Sequence, residues 1–209
     1  MPGQRGTTAD VVIVGGGVVG SAIAYFLAKE GASVVLFERD DLAAHASGAA
    51  AGMIAPICES SGGGPLFEWG VKSLERMPAL AAELREASGI DPQWSASGIL
   101  RVALSDGEAS ELKAHAEALA EHGVVWLSAS AALAREPQLA RHVSGALWSP
   151  REGHVYSPQL TRAYAMAAVR HGAVLRCGVP VHGLVHDGER VIFRPAKPPM
   201  TPQRNYQPG

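Results

Sequence analysis

Four apolar residues, Val11 to Val14, run straight into Gly15, Gly16 and Gly17, and Gly20 follows after two more valines. A short β-branched run that stops at glycine reads as a strand entering a tight turn. Val18 to Glu30 then carries helical spacing, and Ser33 to Glu38 returns to a strand pattern. Strand, helix and strand in that order make a βαβ unit, whose crossover helix sets the two strands parallel with helices on the sheet faces. The fold class expected is therefore α/β, built on a Rossmann-like parallel sheet.

Gly15, Gly17 and Gly20 form GxGxxG between strand and helix, the context in which that spacing has a mechanism. Gly15 permits the turn, Gly17 lets a pyrophosphate approach the main chain, and Gly20 lets the helix lie close to the strand. The helix N-terminus adds unpaired N–H donors and the positive end of its dipole. Glu38, eighteen residues beyond Gly20, ends the second strand, where a carboxylate accepts hydrogen bonds from ribose hydroxyls. These residues read as a dinucleotide site. They do not separate FAD from NAD, since both carry the ADP half, and a plain strand-to-helix turn with a surface Glu would share the pattern.

Charge and cysteine content exclude other classes. Eighteen Lys and Arg against 20 Asp and Glu give a formal charge of -2, without the basic stripe that nucleic acid requires. Cys58 and Cys177 form no CxxC pair, so neither a disulfide framework nor a metal site is expected, and a reducing cytoplasm is. Val11 to Ala28 is eighteen residues without charge, yet the three glycines divide it, which argues for strand and helix over a membrane span.

Along the rest of the chain, Asp40 to Gly64 is rich in small residues, and Leu66 to Ser88 has helical spacing that Pro78 should bend or interrupt and Gly89 should end. Gly98 to Leu104 reads as a strand; Ser105 and Glu108 have capping-box spacing before a helix reaching His122. Val124 to Leu127 and Val143 to Trp148 should be extended, with a short helix from Ser128 to near Glu136. Ser157 and Pro158 read as N-cap and first residue of a helix running towards Gly172. Strands are expected around Val174, Val181 and Val191, with a hairpin turn at Asp187 and Gly188. Trp69, Trp94, Trp126 and Trp148 are expected in the core. His182 and His186 lie in a strand pattern and are not expected to share a metal.

The segment VVIVGGGVVGSAIAYFLAKEGASVVLFER, followed by ASGAAAGMIAP, resembles the FAD-dependent oxidoreductases of the D-amino-acid oxidase group, and within it the glycine oxidases of the thiamine pathway. SGIL at Ser97, REPQL at Arg135 and GHVYSPQLTRAYAMAA, ending at Ala168, extend the resemblance more loosely. It implies FAD as cofactor, the first segment cradling its ADP half and the small-residue stretch passing the flavin. Matched residue by residue, it implicates Val18, Val19, Glu38, Arg39, Ala46, Ser47, Ala51, Gly52 and Met53, with the main chain of Val181 at the adenine.

The resemblance implies oxidation of a small amino acid or amine to an imine, with peroxide formed on reoxidation by dioxygen. The flavin carries the chemistry, so no catalytic acid or base is named. It also implies a division into an FAD-binding segment (1–95), part of an α+β substrate domain (96–150), a return to the FAD-binding domain (151–194) and a disordered Pro-rich tail (195–209). Family members are longer, and the change of pattern at Pro195 leads to the expectation of a truncated or frame-shifted product without the substrate-gripping residues. An unfinished sheet would expose a strand edge, which predicts either self-association into a homo-oligomer or poor solubility. The competing readings are an NAD-dependent dehydrogenase and a non-catalytic dinucleotide-binding remnant.

Overall fold

The computed structural model describes residues 9–60, 62–186, 188 and 191–195, with main chain alone at 185, 186 and 191–195. The chain divides into two compact units: residues 1–51, 81–93 and 156–209, and residues 52–80 and 94–155.

The first unit is an α/β layer. Strand β1 (Val11–Val14), helix α1 (Val18–Lys29) and strand β2 (Val34–Phe37) follow one another as the βαβ pattern predicts. The sheet's third strand, β8 (Val174–Arg176), comes from much later in the chain. The order is β1-β2-β8, all parallel, with Ile13 opposite Leu36 and Leu36 opposite Leu175. Those three residues are buried.

Helix α6 (Ser157–Arg170) packs on α1. Both helices bury mostly alanine at the contact, Ala24 and Ala28 on α1 and Ala163, Ala167 and Ala168 on α6, so the two backbones approach closely with little side-chain entropy lost. Tyr25 is wholly buried between them, its ring tilted against Tyr164. Its hydroxyl donates to the Glu83 carboxylate, and burial together with that carboxylate pushes the phenol pKa up. Within the same unit the antiparallel pair β9 (Val181–His186) and β10 (Val191–Pro195) places Val191 opposite His186. Asp187 of the expected hairpin turn, and the tail from residue 196, lie outside the described residues.

The second unit carries an antiparallel sheet of β4 (Ile99–Ala103), β5 (Val125–Ser128) and β6 (Gly145–Ser149), in the order β4-β6-β5. Helix α4 (Asp106–Ala118) covers it, with Leu112, Ala116 and Leu119 meeting Ala103, Val124 and Leu147 in a core that also takes Ile57, Cys58 and Leu74. A two-residue pair, β3 (Met53–Ile54) with β7 (Gly153–His154), and helix α5 (Ala129–Arg135) complete it.

Four expectations need correction. Helix α3 (Pro65–Ser88) runs unbroken through Pro78. Its buried stripe of Leu74, Met77, Ala81 and Leu84 continues on both sides of the proline, and that packing outweighs the roughly 3 kcal/mol a helix-interior proline costs. Helix α4 stops at Ala118, and a separate 3-10 turn reaches His122. The Ser105 hydroxyl accepts from the Glu108 amide as predicted, but the Glu108 carboxylate accepts from Leu104, one residue before the cap. Trp69 is 65% exposed, whereas Trp94 and Trp126 do pack on the core. Trp148 lies under the Arg135 guanidinium at 4.1 Å.

Candidate functional site

The glycine turn between β1 and α1 is set by close main-chain approach. Gly15 has φ +110°, in the half of conformational space that suits glycine. A Cβ on Gly20 would stand 2.1 Å from the Gly15 carbonyl oxygen and 3.3 Å from Ile13 Cγ2, so only glycine lets the first turn of α1 sit on β1. Gly17 is the residue before the helix and brings no capping side chain of its own. The first N–H groups of α1 have no intrahelical acceptor. Val18 takes one from elsewhere: its amide donates to Ser47 Oγ at 2.9 Å, and a Cβ on Gly17 would meet that same oxygen at 3.1 Å. Val19, next along, is exposed.

Glu38 is buried at the end of β2. Its Oε2 accepts from Gly16 N–H at 2.6 Å and its Oε1 from Asp40 N–H at 2.8 Å, so the carboxylate ties the glycine turn to the loop after β2. Each oxygen keeps a further lone pair. Gly16, outside the three-glycine spacing, proves as constrained as its neighbours: a Cβ there would lie 2.9 Å from Leu42 and 3.0 Å from the Glu38 side chain. The triple glycine was the signal for it.

Arg39 is exposed and bonds Asp40 at 3.1 Å and the His45 ring at 3.2 Å. The His45 hydrogen bond, with Arg39 adding its charge, holds the Asp40 carboxyl below the ordinary range. Ligand atoms of Glu38, Asp40 and His45 lie within 4.8 Å of one another, but Arg39 already gives the cluster a cation.

The small-residue stretch is more ordered than a flexible loop. Ala46 and Ser47 begin the one-turn helix α2 (Ala46–Ala49), entered through Ala43 at φ +61°. Ser157, expected as an N-cap, is instead the first residue of α6, with Tyr156 before it; its hydroxyl donates to the Ser47 carbonyl at 2.7 Å. That bond explains the displaced cap. Ser47 thus links α1 to α6, a role that spacing along the chain could not reveal.

Ala51 closes this part of the first unit, and Gly52 and Met53 belong to the second. There Gly52 has φ +84°, its carbonyl accepts from Val155 N–H at 2.9 Å, and Met53 pairs with His154 while its side chain stays half exposed. Val181 opens β9 opposite Pro195. Gly15 to Gly20, Glu38 and Ser47 are therefore brought together by direct contacts, while Arg39 faces Asp40 and His45. Among the described residues no helix is long and apolar enough to cross a membrane.

The turn fits a dinucleotide by its own geometry: a glycine-built helix start with no capping side chain from Gly17, a small serine hydroxyl at the Val18 amide, and the Glu38 carboxylate beside it. Comparison with known proteins gives the same direction. The chain is 42% identical over 169 residues to a glycine oxidase of Geobacillus kaustophilus, covering 79% of this chain and 45% of that one. It is 30% identical over 185 residues to the glycine oxidase of Bacillus subtilis, covering 88% and 49%. The crystal structure of glycine oxidase from Geobacillus kaustophilus superposes with a TM-score of 0.85 at 39% identity, over 90% of this chain and 51% of that one. The chain thus spans about half the length of the relatives it matches. A family model described as FAD dependent oxidoreductase matches residues 10–197, and on that match the chain belongs to this family, whose cofactor is FAD.

Proposed function

We propose that the chain holds FAD along the Gly15 to Gly20 turn and serves the oxidation of a small amino acid or amine, glycine foremost, to an imine. The observation that carries this reading is Glu38 bonded to Gly16 at the glycine turn before α1, in a family of FAD-dependent enzymes. The relatives that are glycine oxidases support the choice of substrate.

In this reading the pyrophosphate lies at the α1 N-terminus, where Gly17 leaves room, the Val19 amide faces it and Val18, its own amide held by Ser47, borders it. The free lone pairs of Glu38 take the ribose hydroxyls, Arg39 flanks them, and the main chain of Val181 borders the adenine. Ala46, Ser47, Ala51, Gly52 and Met53 line the way to the flavin, small side chains leaving main-chain groups within reach. When bound, FAD supplies the acceptor for a hydride from the substrate Cα and passes the electron pair to dioxygen, giving peroxide. The chain's part is to bind and orient, and no side chain is assigned a proton transfer. The half-exposed Val12 and Val14 on β1 support self-association through that strand.

The test is the visible spectrum of the purified chain after incubation with FAD and removal of free cofactor, followed by anaerobic glycine. Retained flavin that bleaches with glycine is the expected result. Flavin that stays oxidised under a range of small amines would reduce the reading to cofactor binding, and a chain that retains none would defeat it.

A further inference from the structure

Glu152 is wholly buried in the second unit, and the hydrogen bonds it accepts come from main-chain amides. Ile57 N–H meets Oε1 at 2.6 Å; Cys58 N–H lies 3.3 Å from Oε1 and 3.1 Å from Oε2. A carboxylate taken wholly out of water is costly unless hydrogen bonds compensate it, and a neutral apolar side chain would fill the same volume more cheaply. What a charged acceptor adds is a fixed position for the two amides it binds.

Those amides end a segment already held at its other end by Glu152's neighbours. Val155 N–H donates to the Gly52 carbonyl, and Met53 and Ile54 pair with His154 and Gly153. Strand β7 is itself seated: a Cβ on Gly153 would lie 1.9 Å from the Ser95 carbonyl oxygen. At the far end the Arg101 guanidinium donates to the Cys58 carbonyl at 3.0 Å. Residues 52–58 are thus tied along their length to the four residues 152–155, with Ile57 and Cys58 buried and the Met53 side chain turned outward. Burial first, and then the Glu152 charge, pushes the Cys58 thiol up to about 12, so it stays protonated and inert inside this turn.

We propose that Glu152 is a positioning residue: through the amides of Ile57 and Cys58 it fixes the main chain from Gly52 to Cys58, and with it the place of Met53 at the flavin. This rests on the reading above that Gly52 and Met53 border the cofactor. Glu152 is wholly buried on the Ile57 and Cys58 amides and is assigned no contact of its own with cofactor or substrate.

The experiment uses the full chain loaded with FAD, comparing wild type with Glu152→Asp, whose carboxylate is withdrawn by one methylene, and with Glu152→Gln, which keeps the reach and one acceptor. Three quantities are read: FAD content, hydrogen exchange of the Ile57 and Cys58 amides, and the circular dichroism of the flavin bands. For Glu152→Asp we expect near-wild-type FAD content, exchange faster by ~10-fold at both amides and an altered flavin dichroism. Glu152→Gln gives changes of the same sign and smaller size, and decides the matter alone should the Asp variant not fold. Faster exchange with wild-type flavin dichroism overturns the proposal, as does unchanged exchange. A wild-type chain that holds no FAD overturns the cofactor reading and this proposal together, whereas uncoupled readouts on a flavin-loaded chain overturn only the second.

Discussion

The two units use glycine for opposite purposes. In the parallel unit glycine lets main chain meet main chain: a Cβ would stand 2.1 Å from the Gly15 oxygen at Gly20 and 2.0 Å from the Ala43 oxygen at Gly48. In the antiparallel unit it chiefly makes room for indole: the nearest ring atom would lie 1.8 Å away at Gly98, against Trp148, and 2.2 Å away at Gly145, against Trp126. Gly153 against the Ser95 carbonyl and Gly70 against the Pro56 ring depart from this in the second unit, as Gly16 against the Leu42 and Glu38 side chains does in the first. Close approach of backbones within one turn is written in a short spacing, while approach of a ring to a neighbouring strand is written in which strands pair. The first kind shapes the turn at which we propose the cofactor's phosphates lie; the second shapes a core.

The comparison breaks most readily at its tightest points. Gly20→Ala should cost about 3 kcal/mol or more, since the clash is with a carbonyl that cannot swing away, and should abolish FAD retention. Gly98→Ala faces a comparable clash and should lower the melting temperature similarly. The folded fraction of that variant should still retain FAD, and equal loss of cofactor in both would erase the distinction.

Glu38→Gln comes next. Losing the charged acceptor of the Gly16 and Asp40 amides should cost ~1.5 kcal/mol at neutral pH, read by urea unfolding, and should weaken FAD binding as well. Smaller still is the pair Ser47→Ala and Arg135→Ala, each worth about 1 kcal/mol, through the Val18 amide in one case and the Trp148 face in the other. Only the first should raise the FAD dissociation constant.

The smallest effect is a pH dependence. Asp10 is held below its usual value of 3.8 by the Ser33 hydroxyl and then the Ser33 amide, in a link across the start of β1 and β2. A carboxyl whose pKa is lower in the folded state adds stability above its unfolded value and loses it as pH falls through the folded one. The melting temperatures of wild type and Asp10→Asn should therefore differ slightly at neutral pH and converge well below pH 3.8.

The βαβ start was legible because every constraint on it lies within some thirty residues: apolar strand, spaced glycines, helix, strand, acid. The longer strands' succession along the chain and the short α5 after Ser128 were legible for the same local reason, whereas the two-residue β3 and β7 were not. Ser157 was misplaced by one position because its partner is the Ser47 carbonyl, in a different stretch of chain. Pro78 was expected to bend or interrupt the helix because local geometry gives no account of the packing that holds α3 as one helix on either side of it. Glu152 left no trace in any motif: a single acid between Arg151 and Gly153 looks like a solvated turn until the strand pairing carries it inside.

Sheet order also sets a timetable. Val35 pairs with Val174, so β2 waits for nearly the whole described chain before its second neighbour exists, whereas β4, β5 and β6 all lie between residues 99 and 149. Contacts nearby in sequence close at lower entropic cost and sooner than distant ones. On a ribosome the antiparallel unit can therefore settle while the parallel sheet still holds β1 and β2 alone, its third strand being added once β8 has emerged.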